Sequence, residues 1–121
     1  MQESPQERLV YEHQAGLAKV MGNPDRLRIL RWIRYHGEGE TKEIGAAALS
    51  QALRLNKANL SRHLSKMREV GLVRTRKEGA YLFVREANPE IGHLCESMRG
   101  LIASNLREQA AALETFGEGQ A

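Results

Sequence analysis

The stretch NKANLSRHLSKMREVGLV, Asn56 to Val73, decides the fold. It opens on an asparagine, whose side chain can accept from an unpaired first-turn amide, and it runs into Gly71, a helix stop. At about 100° per residue, Leu60, Leu64 and Met67 share one sector with Val70 beside it, the stripe of a helix packed on a core. The opposite side carries Ala58, Asn59, Arg62, Ser65 and Lys66, flanked by Lys57 and Ser61. Small residues allow close approach, Ser and Asn bond base edges or phosphates, and Arg can be bidentate to guanine. A solvated helix face more often pairs Glu with Lys, whereas Glu69 is the only acid here. The pattern therefore favours a helix that enters a DNA groove over an ordinary surface helix. His63, at the edge of the stripe, reads as a packing and hydrogen-bonding residue.

The charge distribution points the same way. The chain of 121 residues has a formal net charge of +3. Residues 54–77 alone hold Arg54, Lys57, Arg62, Lys66, Arg68, Arg74, Arg76 and Lys77 against Glu69, whereas residues 86–121 are acidic. A cationic block confined to one segment suits a polyanionic partner. A solvated basic face is the plainer explanation of a charge run, so charge alone does not decide.

Working outward, LVRTRKEGAYLFV after Gly71 shows two β-type runs around Glu78-Gly79, a hairpin signal. Alternation places Arg74 and Arg76 on the face opposite Val73 and Thr75. Upstream, residues 46–53 read as a short helix with Leu49 and Leu53 inward, joined by RLN to the opening stretch. HGEGETKEIG, His36 to Gly45, is a loop by composition with room for a very short strand at its end. Asn23-Pro24 and Asn88-Pro89 each supply an N-cap followed by a first-turn proline. They start a helix over residues 24–35, with Leu27, Leu30 and Ile33 on one side and Ile29 and Trp32 flanking, and a long helix over 89–116 before GEGQA frays. A first helix covers residues 5–21. The order predicts one domain over 1–121, mainly α with a small β-hairpin: a winged helix-turn-helix with its helix-turn-helix at 46–70 and wing at 72–85.

NPDRLRIL (23–30), ALSQALRLNKANLSRHLSKMREVGLV (48–73) and RKEGAYLFVREANPE (76–90) resemble the ArsR-type (arsenical-resistance repressor) family of bacterial transcriptional repressors, over about Val20 to Leu94. The resemblance implies a homodimer that binds a palindromic operator on double-stranded DNA and is released by an inducer. It places DNA contacts at Asn56, Lys57, Asn59, Ser61, Arg62 and Ser65 and at wing residues Arg76 and Lys77. The basic face adds Lys66, and the wing adds Arg74. One departure is the long link YHGEGETKEIGAA before the short helix, which the resemblance leaves room to shift that helix slightly.

The helices at 5–21 and 89–116 carry more apolar surface than so small a core can cover: Leu9, Val10 and Leu17 on the first, Ile91, Leu94, Met98, Leu101, Ile102, Leu106, Ala112, Leu113 and Phe116 on the last. Pairing these helices across a twofold axis is the simplest cover, and it sets two groove-reading helices about one DNA turn, ~34 Å, apart. The alternative is a tail helix folded back on its own domain.

The sensor is the thinnest part of the pattern. One metal motif of the resembled family uses cysteines on the helix before the recognition unit, where this chain has IGAAALSQAL and no thiolate. Another uses Asp-x-His on the last helix, where Asn88 and Glu90 stand instead. What remains is PEIGHLCES, with Glu90, His93 and Glu96 at three-residue spacing and a single cysteine, Cys95. A zinc or nickel ion at Glu90/His93, joined across a dimer by His13, is one candidate; solvation and capping explain such residues more often. Cys95 is the other, as an intersubunit disulfide or a reversibly capped thiol, against its plainer role as a small packed hydrophobe. One cysteine permits no intrachain disulfide, and a cytoplasmic setting is expected. No cofactor is expected. No apolar run approaches the ~18 residues of a membrane span, and no phosphate loop or nucleophile–base pair suggests an enzyme. A winged helix used only to bind protein is the remaining alternative, with the basic face a bystander.

Overall fold

A computed structural model describes residues 2–119, with side chains described over residues 2–115. Its elements are α1 (Pro5–Met21), α2 (Pro24–His36), β1 (Ile44–Gly45), α3 (Ala46–Leu53), α4 (Lys57–Glu69), β2 (Val73–Glu78), β3 (Tyr81–Glu86) and α5 (Pro89–Gly119). The expected order holds, but α5 runs to Gly119, three residues past the expected end at 116; residues 120 and 121, the rest of the GEGQA stretch expected to fray, lie outside the described residues.

Helix starts follow from side-chain caps. Asn23 accepts from the amides of Asp25 (3.0 Å) and Arg26 (3.2 Å), and Asn88 from that of Glu90 (2.9 Å). Each satisfies first-turn donors that the helix cannot pair itself. Ser4 and Glu7 close a reciprocal capping box on α1.

The core gathers one stripe from each of α2, α3 and α4 beneath the sheet: Ile29, Leu30 and Ile33; Leu49 and Leu53; Leu60, Leu64 and Met67; then Leu72, Val73 and Val84. Burying an aliphatic side chain of this kind stabilises the fold by about 1.5–3 kcal/mol. One expectation is corrected. Ile29, assigned to the flank of α2, is fully buried, while Leu27, assigned inward, is 36% exposed. Two residues subtend about 200° on a helix, so only one of the pair can face the core. Leu27 is turned toward α5 instead.

The sheet holds the expected hairpin together with the very short strand that the end of the link left room for. It has three antiparallel strands in the order β1-β3-β2, with Ile44 opposite Val84 and Gly45 opposite Phe83. The long link before α3 supplies the extra strand. Glu38 and Glu43 exchange backbone hydrogen bonds of 2.8 and 3.0 Å across a tight turn. Gly37 is required where this turn leaves α2, because a Cβ there would lie 2.3 Å from the Lys42 carbonyl oxygen.

Candidate nucleic-acid interface

The turn between α3 and α4 aims the second helix. Arg54 adopts a left-handed conformation (φ 56°, ψ 42°), and the Ser50 hydroxyl donates to the Leu55 carbonyl. Arg28 Nη2 donates to the Leu53 carbonyl at 2.9 Å, satisfying an acceptor at the end of α3. Asn56 then caps α4, its side-chain oxygen accepting from the Asn59 amide at 2.7 Å. The α4 stripe of Leu60, Leu64 and Met67 is buried as the spacing required.

Lys57, Ala58, Ser61, Arg62 and Lys66 stand exposed on the other face, with Asn59 and Ser65 half-buried beside them. The Arg62 guanidinium donates to the Asn59 side-chain oxygen. A shallow concavity of about 420 Å³ opens here, lined by Asn59, Arg62, His63, Ser65, Lys66 and Glu69 of α4 and also by Arg26 of α2. The sequence reading missed Arg26. Its Nε donates to His63 Nδ1 at 3.1 Å and its Nη1 to the Val20 carbonyl at 3.3 Å, so it ties α4 to the corner between α1 and α2. The packing role read for His63 matches this geometry.

The wing stands beside α4 and is braced to it by Arg68, whose Nη1 donates to Thr75 Oγ1 at 3.1 Å. Arg74 and Lys77 are exposed. Arg76, expected as a free wing cation, is half-exposed and paired with carboxylates of its own chain. Its Nε and Nη2 donate to the two carboxylate oxygens of Glu43 (3.1 and 2.9 Å), its Nη1 to Glu78 (2.8 Å), and its guanidinium lies 4.6 Å from the Phe83 ring centroid. The Arg76 hydrogen bonds hold the Glu43 carboxyl below the usual carboxylate range, and the two carboxylates raise the Arg76 pKa further. Glu43 was not singled out from the sequence; its role depends on the link folding back to the sheet.

The sensor candidates separate. His93 Nδ1 lies 3.7 Å from the Glu90 carboxylate, both side chains being well exposed. Glu96 does not join them: it accepts from Arg31 (2.8 Å) and the Tyr35 hydroxyl (2.9 Å). Among the described residues no three His, Cys, Asp or Glu side chains gather as a metal site. Cys95 is half-buried in a cleft of about 170 Å³ between α2 and α5, with Leu27, Leu30, Met98 and Ile102 around it. Burial, with Glu86 and Glu96 nearby, pushes its thiol pKa up, while Arg34 opposes the shift.

The outer helices keep their apolar faces uncovered. Leu9 and Val10 of α1 and Leu94, Leu101, Ile102, Leu106 and Leu113 of α5 are all exposed. Beyond Met98 the described part of α5 does not fold back on the domain. Phe116, placed on the same stripe from the sequence, lies outside the described side chains.

A capped, basic, acid-poor helix held by a preceding helix and turn and flanked by a basic wing defines a winged helix-turn-helix regulator. The helix-turn-helix domain family matches residues 21–76. An HTH-type transcriptional regulator of Mycobacterium tuberculosis, Rv0081, is 30% identical over 112 residues, 91% of this chain and 92% of that one. The crystal structure of Rv0081 superposes with a TM-score of 0.70 at 25% identity, covering 89% of this chain and 99% of that chain. The arsenic resistance transcriptional regulator ArsR1 of Pseudomonas putida is 29% identical, over 83% of this chain and 77% of that protein. The transcriptional activator HlyU of Vibrio cholerae is 34% identical, over 70% of this chain and 73% of HlyU. The chain belongs to the ArsR-type family of winged helix-turn-helix transcriptional regulators. It is a DNA-binding regulator rather than an enzyme or a protein-only interaction module.

Proposed function

We propose that two copies of this chain pair through α1 and α5, bind a near-palindromic operator and repress transcription until an inducer releases them. The observation that carries the reading is the opposition of two surfaces. One is the basic face of α4 with Arg74 and Lys77 of the wing. The other is the uncovered apolar length of α1 and α5, which a second copy covers by symmetry. In this reading Asn59, Ser61, Arg62 and Ser65 meet base edges, while Asn56, Lys57, Lys66, Arg74 and Lys77 meet the backbone and fix the register. The protein then works where the chromosome is, in the cytoplasm. An inducer that moved α5 against α2 would act at the cleft holding Cys95, on the helix that also carries Glu90 and His93. Sedimentation of the purified protein, alone and on duplex DNA at graded salt, tests the proposal. It expects a dimer that binds duplex with a steep loss of affinity as salt rises; a monomer, or binding indifferent to salt, contradicts it.

A further inference from the structure

Arg76 is a wing cation that sequence alone assigns to DNA, and its guanidinium, though half-exposed, is already paired within the fold. Its side chain crosses β3, lies over Phe83, its register partner, and reaches Glu43 on the far side of the sheet. Glu43 is delivered there by its backbone pairing with Glu38 and by β1, whose Gly45 pairs with the same Phe83. The Glu43 side chain is only 21% exposed, so its carboxylate is partly shielded from water. Fork-to-fork pairing with Glu43 uses two donor directions and Glu78 a third. With Arg85 also acting on Glu43, the cluster of Arg76, Arg85, Glu43 and Glu78 carries no net charge, so it offers a phosphate no net attraction.

We infer that Glu43 withholds Arg76 from DNA, so that Arg76 is a positioning residue that straps the wing to the link before α3 while Arg74 and Lys77 make the wing's phosphate contacts. This rests on the DNA-binding reading above. Three of the five guanidinium N–H donors are committed, so a phosphate approaching the exposed side of Arg76 meets a cation already paired with two carboxylates and gains less from it. The link thereby sets both the position of the wing and the number of cations the protein brings to DNA.

Counterion release measures that number, because each phosphate neutralised by a protein cation adds about 0.9 to the slope of log affinity against log salt. Glu43→Gln leaves Arg76 held only by the well-exposed Glu78, and is expected to steepen the slope by about 0.9 and tighten binding at low salt. The charge-balanced double variant Glu43→Gln/Arg76→Met is expected to return to the wild-type slope. An unchanged slope in Glu43→Gln, or a double variant about 0.9 shallower than wild type, overturns the inference. The Arg76 Nε–Hε resonance of the wild-type protein gives a readout independent of any variant's folding. It is expected to keep its position when duplex is added, and a large shift on binding overturns the inference. Wild-type protein without salt-dependent duplex binding contradicts the DNA-binding reading itself, a different failure from unequal slopes among binding variants.

Discussion

Arg26 and His63 meet across 3.1 Å, the guanidinium Nε donating to the imidazole Nδ1, and this contact fastens α4 to the corner between α1 and α2. Asp25 stands 3.9 Å from the other ring nitrogen. A partly buried hydrogen bond from a charged donor contributes about 1.5–3 kcal/mol. His63→Ala is therefore expected to destabilise the fold by about 1–3 kcal/mol in urea unfolding. It should also weaken DNA binding, because His63 helps to hold α4 in place. Unchanged stability together with unchanged binding would remove the contact from the account.

Arg62 occupies the middle of the exposed face of α4. A bidentate contact to guanine is worth about 1–3 kcal/mol of base discrimination. Arg62→Ala is expected to lose most operator binding and to relax preference at one base position. Lys66→Glu should weaken binding to every duplex alike. Fluorescence anisotropy on matched and single-mismatch duplexes separates these outcomes, and full operator affinity in Arg62→Ala would contradict the assignment.

The Glu43–Arg76 clamp carries a definite pH dependence. Glu43 has a folded pKa below its ordinary value of 4.5. Its contribution is therefore complete above the ordinary carboxylate range and is lost as pH falls through the lowered folded value. Wild type and Glu43→Gln should differ in melting temperature near neutrality and converge toward strong acid. A constant difference across that range would show that the carboxylate charge is not what holds Arg76.

Cys95 has the opposite sign. Its pKa is raised from 9.0 by burial and by the nearby carboxylates, so little thiolate exists near neutrality. Alkylation by iodoacetamide is expected to be slow at pH 7 and to keep rising beyond the pH where a free thiol levels off. Rapid labelling at neutral pH would restore Cys95 as a poised redox sensor.

The local signals were legible in the sequence because local physics makes them. Asparagine caps, first-turn prolines, the α4 stripe and the helix stop at Gly71 each depend on a few neighbouring residues. The exposed, acid-poor face of α4 followed from the same periodicity. Features joining distant segments were not legible. Two-residue β1 has no periodicity to detect, and its pairing with Val84 and Phe83 spans the whole helix-turn-helix. The Glu43–Arg76 pair depends on that register, and so Arg76 read as a free cation. Leu27 and Ile29 were exchanged because the pattern does not say from which side α3 and α4 approach α2.

The proposed dimer is testable without touching the basic face of α4. Leu106→Glu places a charge on the uncovered α5 stripe, where Leu106 is 60% exposed in the single chain. The variant is expected to fold, sediment as a monomer and lose much of its operator affinity, because each half-site then binds alone. A variant that remains dimeric would move the interface elsewhere.

The central claim is that a symmetric pair of α4 helices reads DNA. Selection from a pool of random duplexes by the purified protein tests it most directly. The account predicts enrichment of an inverted repeat whose half-sites lie about one helical turn apart, ~34 Å. Enrichment of a sequence without twofold symmetry, or no enrichment at all, would contradict it.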